Sequence, residues 1–272
     1  MELRCDGIIF DFNGTLFFDT EKQEQAWNTV SFSLRGHPFD PEEMDEHVHG
    51  RNGKSIFEYL LGREIDLVEE RRLVEQKEQI YRALCLEDDV NFHLAPGVHE
   101  LLDFITEHHI PTTIATASGR TNLDFFIRQF RLDRWFKPER IVYDDGTLKG
   151  KPDPDIYLRA AQRIGVVPQF CMVIEDAFSG IESARQAGIG RHLAIGVEHA
   201  GEVAVRFPIR QQGKAVRLQA GGDVRVEAVH GQIGALAVPG VHNGPAAGGQ
   251  AGVAQIFHAL GGHLGHCPAG SR

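Results

Sequence analysis

The sequence predicts an α/β fold built on a parallel sheet and interrupted early by a separate helical segment. Three observations lead there. An apolar run at 5–10 ends in an acidic residue, a long helical stretch without a strand signal follows it, and strands alternate with helices from about residue 98 onward.

Residues 5–10, CDGIIF, are almost continuously apolar and stop at Asp11, and Gly14 then breaks the pattern, as in a buried parallel strand opening into a loop. A carboxylate at such a strand end faces the crevice where open α/β sheets bind ligands. Asp19 or Thr20 starts a helix through about Leu34. Asp66 starts another, with apolar residues at Leu67, Leu73, Ile80, Tyr81 and Leu84. Pro96 and Gly97 punctuate the chain before a helix over 98–107 and a strand over IPTTIATAS, 110–118. A helix at 123–130, a strand at 140–143, a helix at 155–164, a strand at 171–174, a helix at 180–188 and a last strand at 192–197 continue the rhythm. From about Gly201 the composition turns to Gly, Ala, Val, Gln and His with few carboxylates. VRLQAGGDVRVEAV, 216–229, alternates as a hairpin around Gly221 and Gly222 would; the other readings of this tail are a poorly ordered extension or a non-native reading frame.

A chain of 272 residues can bury one substantial core, or one core plus an inserted domain. At 42% hydrophobic and 24% charged it is ordinarily globular, and no apolar run nears the roughly 20 residues that span a bilayer, so no membrane association is expected. The N-terminal residues lack the apolar core of a signal peptide, which points to a cytoplasmic protein. A formal charge of −10 argues against wholesale binding to nucleic acid and leaves room for a local basic pocket that takes a small anion. Cys5, Cys85, Cys171 and Cys267 are scattered without a CxxC pair, as buried thiols rather than a zinc site or disulfide framework. Nothing in the sequence decides the oligomeric state.

Four stations could carry chemistry. Asp11, in DFNGT, could present an oxygen nucleophile to phosphorus while backbone amides approach the phosphate, although a loop-capping aspartate looks the same in isolation. Thr116 ends the second strand, where its hydroxyl could donate to a phosphate oxygen or simply finish the strand. Lys151, in KGKPDPD, sits where two prolines restrict the backbone and could fix one cation; a solvated surface lysine is the alternative. Glu175 and Asp176 follow the apolar CMVI, so two carboxylates stand at another strand end, suited to Mg²⁺ or to helix capping. Within HVHGRNGKS, 47–55, the glycines allow close approach and Arg51 and Lys54 could meet a distal anion, or the segment is a solvated connection between helices.

Taken together, IIFDFNGT, TIATASG, KGKPDPDIY and VIEDAFSGIESARQAG resemble, in order and spacing, the four motifs of the haloacid dehalogenase-like hydrolase superfamily, in its phosphatase and β-phosphoglucomutase branch. The resemblance covers about residues 5–200. It implies a doubly wound parallel sheet as the catalytic core, 1–15 and 92–200, a helical cap inserted at 16–91, and an atypical tail at 201–272. It implies that Asp11 forms an aspartyl-phosphate, that the carbonyl of Asn13 and the carboxylate of Asp176 ligate Mg²⁺ with Glu175 supporting them, that Thr116 holds the phosphoryl oxygens and that Lys151 neutralises charge. Ser118 and Gly119 join Arg51 and Lys54 as substrate-binding candidates. The substrate implied is a small phosphorylated metabolite.

Asn13 departs from the family pattern, which has an aspartate there to protonate the leaving alcohol and activate water. An amide cannot transfer a proton at neutral pH, so an effect of about a hundred- to ten-thousand-fold is at stake. Three explanations follow, in order of preference: substrates whose leaving groups need little protonation, another acid from the cap, with His47 and His49 as candidates, or a regulatory protein that binds a phospho-metabolite. A phosphomutase is disfavoured because it must move protons to and from sugar hydroxyls. A 2-haloacid dehalogenase is a third functional reading.

Overall fold

The computed structural model describes residues 5–198 and the strands at 202–206, 215–218 and 224–227. The chain divides into two compact units, Met1–Phe18 with Leu94–Arg272, and Asp19–His93.

The first unit is a sheet flanked by helices. Its strands are β1 (Gly7–Phe10), β2 (Thr112–Gly119), β3 (Val142–Asp144), β4 (Cys171–Glu175), β5 (Arg191–Glu198) and β6 (Glu202–Arg206), in the spatial order β3–β2–β1–β4–β5–β6. All neighbours pair in parallel except β5 with β6. β1 lies between β2 and β4, Ile9 pairing with Thr113 on one side and Val173 on the other. A central strand covered on both faces has to be apolar at every position, and all four residues of β1 are buried.

Side-chain alternation splits the core between the two faces of the sheet. Ile9, Ala115, Val142 and Val173 pack with Ile156, Ala160, Ala161 and Ile164 of α7 (Asp155–Ile164) and with Ala184 of α8 (Phe178–Gln186). The alanines let α7 approach closely, and so does Gly7, where an added Cβ would lie 2.8 Å from Ile164 Cδ1. Phe10, the neighbour of Ile9, turns the other way and meets Phe136 at 6.2 Å. Aromatic rings continue that packing: Phe12 stacks on Phe126 of α6 (Arg120–Phe130) at 4.5 Å, and Phe17 meets Phe130 at 5.0 Å. α5 (Val98–Glu107) buries Val98, Leu101, Leu102 and Ile105, an i, i+3, i+4, i+7 stripe.

The second unit holds α1 (Thr20–Arg35), α2 (Pro41–His47), α3 (Gly53–Leu61) and α4 (Leu67–Glu87) around Trp27, Val30, Phe39, Met44, Ile56, Phe57 and Leu73. The two short helices are defined by their caps. Asp40 and Glu43 form a capping box with Pro41 behind it, and Asn52 accepts from the Ser55 N–H at 2.9 Å. Asp66 caps α4, as its sequence suggests. Asp19 precedes α1 without capping it: its carboxylate accepts from Tyr81 Oη at 2.6 Å and Gln23 Nε2 at 3.0 Å.

Several boundaries shift from those expected. β3 starts at Val142 because Pro138–Arg140 form a 3₁₀ turn, and α6 and α8 start earlier, at Arg120 and Phe178. Residues 53–55, expected in a connection, open α3. In the tail, Ala215–Leu218 pairs antiparallel with Val224–Glu227; the turn at Gly221 and Gly222 and all of 228–272, including Cys267, lie outside the described residues. Cys5, Cys85 and Cys171 are buried thiols. Among the described residues no helix is long and apolar enough to cross a membrane.

Candidate active site

The strand order sets the C-terminal ends of β2, β1 and β4 side by side; Asp11 and the Glu175–Asp176 pair come from those ends, whereas Thr116, expected to end its strand, lies within β2, which runs on past a register shift to Gly119. Asp11 and Glu175 are buried, and both are joined to one ammonium: Lys151 Nζ donates to Asp11 Oδ1 at 2.7 Å and to Glu175 Oε1 at 2.5 Å. Glu175 is further fixed by Tyr157 Oη, which donates to Oε1 at 3.1 Å, and by the backbone N–H groups of Asp176 and Ala177, which donate to Oε2 at 2.7 and 2.8 Å. Gly180 leaves it room, since a Cβ there would sit 1.5 Å from Glu175 Oε1.

The charges are unequally compensated. Burial alone would raise the Glu175 carboxyl, but Lys151 and the two amides hold it below its ordinary value. Burial likewise would lower Lys151, and the attraction of Asp11, Tyr157 and Glu175 overcomes it, so the ammonium is retained well above its usual range. Asp176 is less well supported, with only a weaker attraction from Lys151. Burial, then repulsion from Asp11 and Glu175, pushes its carboxyl up to about 9, and Thr15 Oγ1 donates to its Oδ1 at 3.2 Å.

Three carboxylates against one lysine are suited to a divalent cation. Asp11, Glu175 and Asp176 each offer an oxygen, all within 4.8 Å of one another, and oxygen-only donors match a hard ion such as Mg²⁺. The raised Asp176 carboxyl is the electrostatic sign of the same fit, since a cation would favour its ionised form. Gly14 is part of the arrangement: it has φ +77°, and a Cβ on it would fall 2.0 Å from Asp176 Oδ2.

Asn13 lies in a turn closed by Phe12 O, which accepts from the N–H groups of Leu16 at 2.9 Å and Phe17 at 3.0 Å. Its Oδ1 accepts from Ser118 Oγ at 2.8 Å and lies 3.5 Å from Thr116 Oγ1, which itself accepts from the Ser118 N–H at 3.0 Å. Gly119 precedes α6 and supplies no side-chain cap to its first turn. The structure thus brings Asp11, Thr116, Lys151, Glu175 and Asp176 together, with Asn13 and Ser118 linked to Thr116. Arg51 and Lys54 belong to the helical unit, where Arg51 Nε donates to Glu46 O at 3.2 Å and Lys54 lies 3.6 Å from Glu58. Sequence reasoning missed Tyr157, Thr15 and Ser118's hold on Asn13. Tyr157 carried a signal, because a tyrosine on the apolar face of a helix has to find a partner for its hydroxyl.

A family model described as haloacid dehalogenase-like hydrolase matches residues 5–188. The chain is 31% identical over 199 residues to a phosphorylated carbohydrates phosphatase of Thermotoga maritima, covering 72% of this chain and 86% of that one. It is 32% identical over 196 residues to the β-phosphoglucomutase of Bacillus subtilis, covering 70% and 82%. Among solved structures, a HAD hydrolase of family IA, variant 3, from Entamoeba histolytica superposes with TM-score 0.65 at 37% identity, covering 73% of this chain and 84% of that one.

Proposed function

The chain belongs to the haloacid dehalogenase-like hydrolases, and from that premise we propose that it is a Mg²⁺-dependent phosphatase acting on a small phosphorylated metabolite through an aspartyl-phosphate at Asp11. A carboxylate oxygen of Asp11 attacks phosphorus, the bond to the leaving oxygen breaks, and water then attacks the aspartyl-phosphate to release orthophosphate. Lys151, held at 2.7 Å from Asp11, offsets the charge that builds up as nucleophile and phosphate meet. Thr116, Ser118 and the backbone amides after Gly119 bind the phosphoryl oxygens. Asp11, Asp176 and the carbonyl of Asn13 would hold Mg²⁺, with Glu175 fixing the set. The cation, when bound, supplies the positive charge that lets a phosphate approach three carboxylates. Arg51 and Lys54 are proposed to bind substrate, which predicts a higher KM on their removal.

The observation that most supports this reading is the shared lysine: one ammonium spans the nucleophile candidate and Glu175, with Asp176 left needing a cation. The Thermotoga relative is named for phosphorylated carbohydrates, which favours a small phosphorylated metabolite here, while Asn13 bears on which phosphate linkage is cleaved. Hydrolysis of p-nitrophenyl phosphate and acetyl phosphate, with Mg²⁺ and with chelator, tests it. Turnover should require the metal and disappear in Asp11→Asn; turnover that survives either change refutes it. The Asn13 side chain favours a second reading, a regulatory protein that binds a phospho-metabolite, which tight binding without turnover would select. Halide release from a 2-haloacid without Mg²⁺ would select dehalogenation instead.

A further inference from the structure

Resting on the phosphatase reading, we infer that Asn13 restricts this site to activated phosphoryl donors, acyl phosphates and phosphoanhydrides, whose leaving groups depart as stable anions. The turn 12–17 fixes the backbone of Asn13 two residues past the nucleophile, and the end of β2 fixes its side chain. Ser118 Oγ donates to Asn13 Oδ1 at 2.8 Å, and Ser118 N–H donates to the Thr116 hydroxyl at 3.0 Å. The carboxamide is therefore held beside the hydroxyls that bind phosphate, and a carboxamide neither gives up nor takes a proton near neutral pH.

The other candidates are committed elsewhere. Lys151 spends its ammonium on Asp11 and Glu175, and Glu175 accepts from Lys151, Tyr157 and two backbone amides. Asp176 belongs to the cation set. Of the histidines in the 47–55 segment, His49 places Nδ1 2.8 Å from Asp45 and Nε2 2.9 Å from Glu24, so both ring nitrogens are occupied. His47 stacks on Tyr59 with ring centroids 3.8 Å apart. Both rings are thus already engaged within the helical unit.

With an acyl phosphate the first step, transfer of the phosphoryl group to Asp11, needs no such group, and that is the step kcat/KM reports. Asp11 forms its bond to phosphorus, the bond between phosphorus and the acyl oxygen breaks, and the carboxylate leaves with the electron pair and no proton, because carboxylic acids ionise near about pH 4. Water then attacks phosphorus, the electron pair of the breaking bond returns to Asp11, and the proton from water passes to a phosphate oxygen and on to solvent. With an alkyl ester the departing alkoxide is far too basic to leave unprotonated, so that route is suppressed.

The test uses the full chain with Mg²⁺ and compares acetyl phosphate, a series of aryl phosphates of graded leaving-group acidity, and glycerol phosphate as the alkyl ester. For the unaltered protein, log kcat/KM should fall steeply as the leaving group becomes more basic. Asn13→Asp should flatten that slope and raise glycerol phosphate turnover by about a hundred- to ten-thousand-fold, with a much smaller change on acetyl phosphate. The slope of the unaltered protein needs no variant, so a misfolded Asn13→Asp leaves the test intact. A flat slope, or glycerol phosphate turned over as fast as acetyl phosphate, overturns the inference while sparing the phosphatase. Absence of Mg²⁺-dependent turnover on every donor, acetyl phosphate included, removes the phosphatase reading and this inference with it.

Discussion

Asp176→Asn isolates the electrostatic cost of the carboxylate cluster. In the metal-free protein burial and the charges of Asp11 and Glu175 raise the Asp176 carboxyl to about 9, whereas in the unfolded chain it ionises near 3.8. Between those values the folded state keeps a proton that the unfolded state has lost. Stability therefore falls as pH rises through that window and levels off above about 9. At about 1.4 kcal/mol per pH unit, the ceiling on the cost near neutral pH is on the order of 4 kcal/mol, and the polarisable, partly hydrated site brings it to about 2 kcal/mol. Asparagine keeps the shape and an oxygen for Thr15 Oγ1, which lies 3.2 Å from Oδ1, but carries no charge. Urea unfolding in chelator, from about pH 5 to pH 9, should show the unaltered protein losing stability while the variant stays flat and ends about 2 kcal/mol ahead. Mg²⁺ at about a hundred times its Kd should reverse the order, stabilising the unaltered protein alone by about 2.7 kcal/mol. A variant no more stable than its parent in chelator at high pH would refute the electrostatic account of this cluster.

Gly180→Ala places a Cβ 1.5 Å from Glu175 Oε1, so Glu175 has to leave Lys151 and Tyr157; a loss of about 1–3 kcal/mol in urea unfolding, with loss of hydrolysis, is expected. Phe126→Ala removes a ring stacked 4.5 Å from Phe12 and edge-on to Phe17 at 6.3 Å, and should cost about 3–5 kcal/mol by the same measurement. In the helical unit, hydrogen bonds from Arg35 and then Tyr59 hold the Glu43 carboxyl down at about 2 against 4.5 unfolded. Its stabilisation is therefore present above about pH 4.5 and lost as pH falls through about 2; Glu43→Gln should cost on the order of 1 kcal/mol near neutral pH in thermal unfolding and nothing below about pH 2.

The parts of this molecule most legible in sequence are those where one physical demand dominates. Residues 7–10 had to be apolar because β1 is paired on both sides and covered on both faces, and that same continuity located Asp11 at its end. Asp155–Ile164 was legible from its apolar spacing, and α7 has those bounds. Where local and tertiary demands compete, the sequence was ambiguous. Asp19 has the chemistry of a helix cap, yet a buried Tyr81 hydroxyl claims its carboxylate. α2 and α3 are too short for a periodic signal, and their starts are fixed by side-chain caps at Asp40 and Asn52. At the site, the side chains at strand ends follow from position alone. The contacts of Tyr157 with Glu175 and of Ser118 with Asn13 join residues 18 and 105 positions apart and have no local signature.

The cluster divides its charge between a permanent partner and a removable one. Glu175 is fixed by four donors and held below its ordinary value, and Asp11 is tied to Lys151. Asp176 is the member whose charge depends on a cation, and Gly14 is what lets it stand so close to the nucleophile turn. In a phosphatase this has a consequence for substrate entry. Without the cation, an incoming phosphate meets more carboxylates than ammonium groups; a divalent cation cancels that excess and removes the repulsion before any bond changes. Metal dependence should then appear in substrate affinity as well as in turnover. Phosphate inhibition measured with and without Mg²⁺ separates this from a purely chemical role, because equal inhibition constants in the two conditions would mean that Lys151 and the amides after Gly119 hold the anion unaided.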